Sequence, residues 1–274
     1  MPETSSQIST VAEIIQNGQP GSSTTVLRAI SLLEALSTAP PQGIGVTELS
    51  RAIGANRSTV YRILGALRPL GYIRDGAEPG TVCLGFRVVE LGERILGQLD
   101  IRKIAGPHLR QLSTVTEETC HLGVLDDTEI VYVDKAEPER QATRLFSTPG
   151  KRVPLHSTAM GKAYLAAMDP AAAAALLDRI ELTARTEKTI TDRAALEAEL
   201  DLVRARGWST DVGETEIWVH CAGAVILGRD GRPVGALSTS GPEARIPVER
   251  IDAHYGPAVR QAADRIGAEL GHGL

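Results

Sequence analysis

Aromatic residues, cysteines and long apolar runs are all scarce in this chain of 274 residues. Phe, Tyr and Trp make up 3% of the residues, whereas aliphatic residues raise the hydrophobic content to 42%, ample for buried cores. No run of about 18 apolar residues occurs, so no membrane-spanning helix is predicted. The first residues, MPETSSQIST, lack the basic and then apolar pattern of a signal peptide. We therefore expect a soluble cytoplasmic protein.

The three cysteines, Cys83, Cys120 and Cys221, are odd in number and widely separated. This arrangement argues against both a disulfide framework and a zinc site. The six histidines show no metal-ligand spacing, and the nucleophile motifs G-x-S-x-G and S-x-x-K are missing. We therefore predict no metal and no cofactor, and we do not expect an enzyme.

Residues 45–75, which read GVTELSRAIGANRSTVYRILGALRPLGYIRD, predict two short amphipathic helices joined by a tight turn. Thr47 can cap the first helix, and Gly54 ends it because glycine tolerates a left-handed backbone. Asn56 then caps the second helix. The apolar stripe of the second helix consists of Val60, Ile63, Leu64 and Leu67. A preceding helix, Thr24–Leu36, can close a three-helix core.

The outer face of the second helix is rich in hydrogen-bond donors, which suit phosphates and base edges. Gly71 breaks this helix, and Tyr72–Arg74 and Thr81–Cys83 flank a turn, which predicts a two-stranded wing. Short helix pairs also occur in bundles that bind no DNA, but the wing favours a winged helix-turn-helix. The candidate DNA-binding residues are Thr47, Asn56, Arg57, Ser58, Thr59, Tyr61 and Arg62.

The net charge of −5 is distributed unevenly along the chain. Residues 22–83 carry six arginines and four acidic residues, a net charge of +2. The acidic remainder opposes non-specific attraction to DNA, so one such module would bind weakly. We therefore predict a dimer whose two modules bind double-stranded DNA at a palindromic operator.

Composition and periodicity divide the chain into a flexible arm (1–21), the winged module (22–83), a linker helix (84–100) and an α+β domain (101–274) with a largely antiparallel sheet. The predicted helices outside the winged module are a short one at Val11–Ile15 and then Leu84–Leu99, Ile101–Val115, Thr158–Met168, Pro170–Ile180, Thr191–Arg206 and Val248–Leu270. The predicted strands are His121–Leu125, Ile130–Asp134, Thr143–Phe146, Val219–Leu227 and Pro233–Ser240.

The dipeptide Asp230-Gly231 is a strong signal for a two-residue hairpin turn, in which Arg229 faces Arg232. The resulting register places a set of small residues on one sheet face, polar at the end far from the turn. These residues are Cys221, Gly223, Val225, Ala236, Ser238 and Ser240. Such a face can form the floor of a ligand site, or it can let a helix pack closely. A bulge at Pro233 would shift the register.

Residues 154–165, PLHSTAMGKAYL, change from loop to helix, with Ser157 or Thr158 as the N-cap. The backbone N–H groups expected to be free at this positive helix end are those of Ala159, Met160 and Gly161. This arrangement suits a carboxylate. It is not a nucleotide-binding P-loop, which would need glycine in place of His156. We expect Lys162 to be solvated or paired rather than a ligand contact.

Taken together, these residues resemble the IclR family of bacterial transcription regulators from about residue 24 onward. The motifs that carry the resemblance are ANRSTVYRIL, LGFRVVELG, PLHSTAMGKAYLA, RGWSTDVGETE and GALSTSGP. The resemblance implies a winged DNA-binding domain, a linker helix and an effector domain similar to GAF domains. It also implies homodimers, or tetramers made of two dimers, on palindromic operators. Effectors of the family are usually small organic acids or aromatic compounds.

The resemblance assigns effector contacts to Ala159, Met160, Asp211, Val219, Cys221, Ser238 and Ser240. Three of these residues also lie on the hairpin face predicted from strand register. The chain departs from the family at Trp218, where a smaller residue such as glycine is common, and at Ala159-Met160, where some members have Gly-Ala. We expect Trp218 to point away from the Cys221 face, and these departures leave the identity of the effector open.

Three classes of function remain open at this point. The first is a ligand-responsive transcription factor, a repressor or an activator. The second is a DNA-binding regulator without a small effector that senses redox state through Cys221, since a thiol in an electropositive site can be reactive. The third is an enzyme with a DNA-binding appendage. Against the third, no histidine is predicted beside Cys221, because strand alternation directs His220 to the other sheet face.

Overall fold

A computed structural model of the chain describes residues 24–138 and 147–273. These residues form two compact units, one ending at Ile95 and the other beginning at Leu96. The predicted short helix at Val11–Ile15 and the predicted strand at Thr143–Phe146 lie outside the described residues. None of the described helices combines the length and the apolar character needed to cross a lipid bilayer.

In the first unit, three helices pack against a small antiparallel sheet of strand order β1-β3-β2. Its elements are α1 (Thr24–Ser37), β1 (Ile44–Gly45), α2 (Val46–Ala52), α3 (Arg57–Leu67), β2 (Ile73–Asp75) and β3 (Thr81–Leu84). The core includes Leu32, Leu49, Val60, Leu64, Ile73 and Val82. The predicted wing is therefore present as β2 and β3, and β1 adds a short third strand that the sequence pattern did not indicate.

The turn between α2 and α3 differs from the prediction at one end. Thr47 does not cap α2, because the N-cap is Gly45, which pairs with Thr81 as extended backbone until the helix begins. The other two turn residues are as predicted. Gly54 has a φ of +58°, and the Asn56 side chain accepts a hydrogen bond from the Thr59 N–H at 2.9 Å. Local sequence therefore determines the turn, whereas strand pairing determines where α2 begins.

The second unit is built on a six-stranded antiparallel sheet of order β6-β5-β4-β9-β8-β7. Helix α4 (Phe86–Gln98) leads from one unit to the other, with the unit boundary after Ile95. The next elements are α5 (Asp100–Thr116), β4 (Thr119–Asp126), β5 (Glu129–Ala136), β6 (Arg152–Pro154), α6 (Ala159–Ala167), α7 (Pro170–Leu177) and α8 (Arg193–Arg206). The remainder is β7 (Ser209–Val212), β8 (Val219–Leu227), β9 (Pro233–Pro242), α9 (Val248–Arg250), a π-helical turn (Ile251–Tyr255) and α10 (Gly256–Glu269). The short edge strands β6 and β7 were not predicted.

The two faces of this sheet carry separate cores, because side chains alternate along each strand. One face packs against α5 and α10 through a core that includes Leu109, Leu122, Ala222, Leu237 and Val259. The other face packs against α6 and α8 through a core that includes Ile130, Met160, Leu165, Leu200 and Ala236. We call this second side the α6 face of the sheet. The predicted ligand floor lies on it.

The β8–β9 hairpin has a different turn from the predicted one. Its loop contains three residues, since the Gly228 N–H donates to the Arg232 carbonyl at 2.8 Å and Gly231 has a φ of +75°. Arg229 therefore does not face Arg232. This geometry is a type I turn followed by a left-handed glycine, a common alternative to the two-residue loop.

A bulge in the strands restores the predicted register beyond the turn. Leu227 pairs with Pro233, but the pairing then shifts by one residue. As predicted, Gly223 lies opposite Ser238 and Cys221 lies opposite Ser240. The face assignment therefore stands, because the extra residue in the loop is matched by the extra residue in the bulge.

Candidate functional site

The outer face of α3 presents a row of polar side chains. Arg57, Ser58, Tyr61 and Arg62 are exposed, with 63% of Tyr61 accessible. Val60 and its neighbours on the opposite side are buried in the core of the first unit. The helix thus has the amphipathic pattern that leaves long donor side chains available for a DNA groove.

Three of the candidate DNA-binding residues also organise the start of α3. The Asn56 side-chain oxygen accepts hydrogen bonds from the Ser58 hydroxyl at 2.8 Å and from the Thr59 N–H at 2.9 Å. This oxygen therefore satisfies helix donors that would otherwise lack a partner. Asn56 holds the first turn in place, and the exposed long donors Arg57, Tyr61 and Arg62 project from the helix that it starts.

Four strands bring one row of polar residues together on the α6 face of the second unit. Ser240 of β9 lies opposite Cys221 of β8, and Cys221 lies opposite Asp211 of β7. On its other side Ser240 lies opposite Thr119 of β4. Residues opposite each other in antiparallel strands share a sheet face. Thr119 therefore joins the predicted floor, although the sequence pattern did not identify it.

A second row runs parallel to the first. Ser238 of β9 lies between Gly223 of β8 and His121 of β4, and His121 lies opposite Lys135 of β5. His121 contacts the Ser147 hydroxyl at 2.7 Å through Nε2. His121 and Lys135 were not predicted as site residues, because neither lies in the β8–β9 hairpin, whose register can be predicted from the sequence.

Burial and two lysine side chains influence the titration of His121. Burial, and to a smaller extent the Lys135 and Lys151 ammonium groups, together lower the pKa of His121 to about 3. The imidazole is therefore neutral at physiological pH and stacks on Tyr132 with 4.5 Å between ring centroids. Both lysines are ion-paired, Lys135 with Glu137 at 2.7 Å and Lys151 with Glu216 at 3.9 Å, so their charge is balanced locally.

The N-terminus of α6 lies against these rows. Thr158 caps the helix, and its side-chain oxygen accepts from the Gly161 N–H at 3.1 Å. Gly161 is therefore not free to bind a ligand, contrary to the prediction. The N–H groups of Ala159 and Met160, in the first turn, have no acceptor within the helix. These two donors are the ones that the resemblance assigned to the effector.

Glycine at position 223 permits the close approach of α6 to the sheet. A Cβ atom there would lie 2.6 Å from the carbonyl carbon of Ala159. The Ser209 hydroxyl of β7 also donates to the Ala159 carbonyl. Close helix packing, one of the two interpretations of the small-residue face, is therefore confirmed at Gly223, and the ligand floor at Cys221, Ser238 and Ser240 stays a prediction.

A buried ion pair links α6 to the loop after β7. The Lys162 ammonium pairs with the Glu214 carboxylate, and only 1% of Lys162 is accessible. The pKa of Glu214 is raised to about 7, because burial raises it by more than the attraction of Lys162 lowers it. The second carboxylate oxygen of Glu214 is buried and has no hydrogen-bond partner among the described residues. We expected Lys162 to be either solvated or paired, and the structure shows that it is paired.

Asp211 holds the same loop from the other side. One of its oxygens accepts from the Glu214 N–H at 2.7 Å and from the Thr215 N–H at 3.3 Å. The Thr215 hydroxyl in turn donates to the Ser157 carbonyl, just before α6. Burial raises the pKa of Asp211, and these hydrogen bonds lower it in part. Asp211 therefore connects the floor to the loop that carries Glu214.

The other assigned residues differ in how far they enter the site. Val219 is half-buried at the end of the face that carries Cys221. Burial raises the pKa of the Cys221 thiol well above its ordinary value, and Asp211 raises it further. His220 lies on the opposite face, where Nδ1 contacts the Ile246 carbonyl at 2.8 Å, and Trp218 is exposed. Cys221 thus has neither a low pKa nor this histidine beside it, both of which a nucleophilic thiol would favour.

A separate groove of about 940 Å³ lies in the second unit, away from the predicted site. Its walls include the buried Glu118 and its bidentate partner Arg245. In the groove the Glu118 carboxylate is already bound by Arg245, whereas on the α6 face the N–H groups of Ala159 and Met160, which have no acceptor within their helix, lie beside a polar floor. We therefore place the candidate ligand site on the α6 face.

Two family models match the chain. The model of the IclR helix-turn-helix domain matches residues 25–76, and the model described as bacterial transcriptional regulator IclR C-terminal matches residues 93–268. Among known regulators, KdgR of Escherichia coli K12 is 37% identical over 254 residues, which cover 93% of this chain and 95% of KdgR. XynR of the same organism is 33% identical over 248 residues, which cover 90% of this chain and 97% of XynR.

Solved structures share the fold. The crystal structure of Thermotoga maritima IclR matches with a TM-score of 0.78 at 32% identity, covering 90% of this chain and 99% of that one. An IclR homologue from Microbacterium hydrocarbonoxydans, complexed with 4-hydroxybenzoate, matches with a TM-score of 0.75 at 24% identity. That match covers 90% of this chain and 98% of the homologue, and it shows a common fold.

The Lys162–Glu214 pair predicts a strong non-additive effect on stability. At pH 8, above the Glu214 pKa of about 7, we expect Lys162→Met or Glu214→Gln alone to lower the free energy of unfolding by about 3–5 kcal/mol. Each single change leaves a buried charge without its partner. The double variant should regain most of this loss in denaturant titrations.

The pH dependence checks the same pair. Because the folded-state pKa of Glu214 is raised from 4.5 to about 7, the wild type loses stability as pH rises from 5.5 to 8, whereas the non-titrating amide does not, so Glu214→Gln should cost more at pH 5.5 than at pH 8. Equal costs for Glu214→Gln at both pH values, or additive effects of the two single changes, would contradict the proposed coupling.

Proposed function

Because the chain belongs to the IclR family of transcriptional regulators, we propose that it binds a palindromic operator as a dimer and responds to a small organic acid. The observation that supports an acid is the polar floor of Ser238 and Ser240 beside the N-terminus of α6. A carboxylate there would accept hydrogen bonds from the N–H groups of Ala159 and Met160 and from the serine hydroxyls.

Operator recognition is proposed for the exposed face of α3. We infer that Arg62 and Ser58 contact base edges and that Arg57, at the first helical position, contacts a phosphate. Tyr61 and Thr59 complete this face, while Thr47 is exposed at the start of α2. The net charge of the DNA-binding module is small, so two modules on one operator are needed for tight binding.

Dimerisation is proposed to involve α4. None of its residues is buried, and its apolar side includes Val89, Leu91 and Ile95. Exposed apolar stripes of this kind mark a surface that packs against a partner. The charged residues of α4 lie on its other side, as in helices that pair in dimers. A second copy of the chain is the partner that a palindromic operator requires.

The effector is proposed to be a small acid, aliphatic or aromatic. The Microbacterium homologue in complex with 4-hydroxybenzoate is consistent with such a ligand. Cys221 and Val219 would line the wall, and Asp211 would accept a hydrogen bond from a hydroxyl or amine of the ligand. The alternative of redox sensing through Cys221 is less well supported, because its raised pKa disfavours the reactive thiolate. No observation favours an enzyme.

Substitutions in α3 test operator recognition. Arg62→Ala should weaken specific binding by about 1–3 kcal/mol, because a lost base contact costs about this much. Arg57→Ala should weaken binding to all sequences alike and reduce its salt dependence. Mobility shifts at several salt concentrations measure both effects. Arg229→Ala, in the hairpin turn of the second unit, is the control and should bind as the wild type does. If Arg62→Ala binds the operator as tightly as the wild type does, the proposal that this helix enters the DNA groove is wrong.

A substitution that introduces a charge on the apolar side of α4 tests the proposed dimer. Ile95 is 64% exposed in the isolated chain. Ile95→Glu should therefore leave the monomer folded but weaken the dimer by about 1.5–3 kcal/mol, the cost of losing one buried aliphatic side chain. Sedimentation measures the dissociation constant, and Arg94→Ala on the charged side is the control. Equal dissociation constants for the wild type and Ile95→Glu would place the dimer contact elsewhere.

The effector site is tested by Ser240→Ala. A thermal-shift panel of carboxylates with two to six carbons and of benzoate derivatives first identifies acids that stabilise the wild type. Ser240→Ala should bind such an acid about 10–100-fold more weakly, since a hydrogen bond to a charged group contributes about 1.5–3 kcal/mol. Thr210→Ala on the opposite sheet face is the control, and operator binding without an acid should not change. If Ser238→Ala and Ser240→Ala both bind the acid as tightly as the wild type does, this sheet face is not the effector site.

A further inference from the structure

Thr119 carries a buried hydroxyl that no described residue satisfies. The side chain is fully buried at the start of β4, and its Oγ1 atom has no hydrogen-bond partner among the described residues. Buried polar groups are nearly always hydrogen-bonded, because an unmet donor or acceptor destabilises the folded state. Such an atom indicates a partner that is absent from the free protein.

The direction of this hydroxyl follows from strand register. Thr119 lies opposite Ser240, whereas its neighbour Cys120 lies opposite Thr239. Cys120 packs in the core beneath α5 and α10, so Thr119 points to the other side of the sheet. That side is the α6 face, where Cys221 continues the same row. Residues directly opposite each other have Cβ atoms about 5 Å apart.

The neighbouring positions are able to hydrogen-bond as well. In the second row, His121 lies opposite Ser238, and its Nδ1 is 3.5 Å from the Ser238 hydroxyl. The two rows across β4, β9 and β8 contain no Leu, Ile, Val or Phe side chain. A ligand whose carboxylate lies at Ser240 and at the start of α6 would therefore place its next carbon atoms over hydroxyl groups rather than over an apolar wall.

We propose that Thr119 is a specificity-determining residue of the effector site, whose hydroxyl binds a hydroxyl group on a short hydroxylated carboxylic acid. This inference rests on the proposed effector function and names the chemical class of the ligand. Thr119 selects for a hydroxyl near the carboxylate, because an acid without it would leave the threonine oxygen unsatisfied.

The first test needs no ligand. Thr119→Val keeps the shape of the side chain and removes the hydroxyl, so the unfolding midpoint of the free protein should rise. Thr116→Val is the matched control, because the buried Thr116 hydroxyl donates to the Leu112 carbonyl at 2.8 Å and its loss should lower the midpoint. A lower midpoint for Thr119→Val would mean that the hydroxyl already has a partner, which overturns the proposal.

The second test compares glycerate, which carries two hydroxyl groups, with propanoate, which has the same carbon chain and none. Calorimetric titration of the wild type should show about ten-fold tighter binding of glycerate. Thr119→Val should lose this preference while its affinity for propanoate is retained, and Ser240→Ala should weaken both acids. A wild type without preference for glycerate, or a Thr119→Val variant that keeps the preference, overturns the proposal.

The two proposals fail in different ways. If Ser240→Ala weakens acid binding while Thr119→Val behaves as the wild type does, the effector site stands and the role of Thr119 is wrong. If glycerate does not bind but another acid of the panel does, only the hydroxylated class is wrong. If no acid binds the wild type, the proposed effector function itself fails.

Discussion

The close packing of α6 against strand β8 is the constraint on which the second unit depends. Gly223 allows it, since any side chain there would meet the Ala159 backbone. The same contact brings the N-terminus of α6 to the polar ends of β8 and β9. The glycine that lets the helix approach thus also brings its first N–H groups to the floor at which we propose the ligand binds.

The charged side chains buried near this contact are paired or hydrogen-bonded. Lys162 is buried within α6 and paired with Glu214, and Asp211 holds the loop that carries Glu214. The charge of Lys162 is thus already paired, so the proposed acid would bind to the helix N–H groups and the hydroxyls of the floor rather than to this lysine. Lys135 and Lys151, whose ammonium groups influence His121, are likewise paired, with Glu137 and Glu216.

The hairpin illustrates how a correct face can follow from an incorrect turn. The sequence predicted a two-residue loop at Asp230-Gly231, but the loop has three residues, closed by Gly228 and Arg232. The bulge that follows adds one residue to β9, so the pairing of β8 with β9 beyond it is the predicted one. The face predicted from the turn dipeptide is therefore correct because the longer loop and the bulge offset each other.

The sequence by itself determined the elements whose causes are local. The Asn56 cap, the left-handed Gly54 and the apolar stripe of α3 all depend on residues within a few positions of one another. The pairing of β4 with β9 and the ion pair across 52 residues depended on the tertiary structure. Thr119 and His121 reach the site only through that pairing. No local pattern encodes which distant strands meet, because this choice is made by the packing of the whole sheet against its helices.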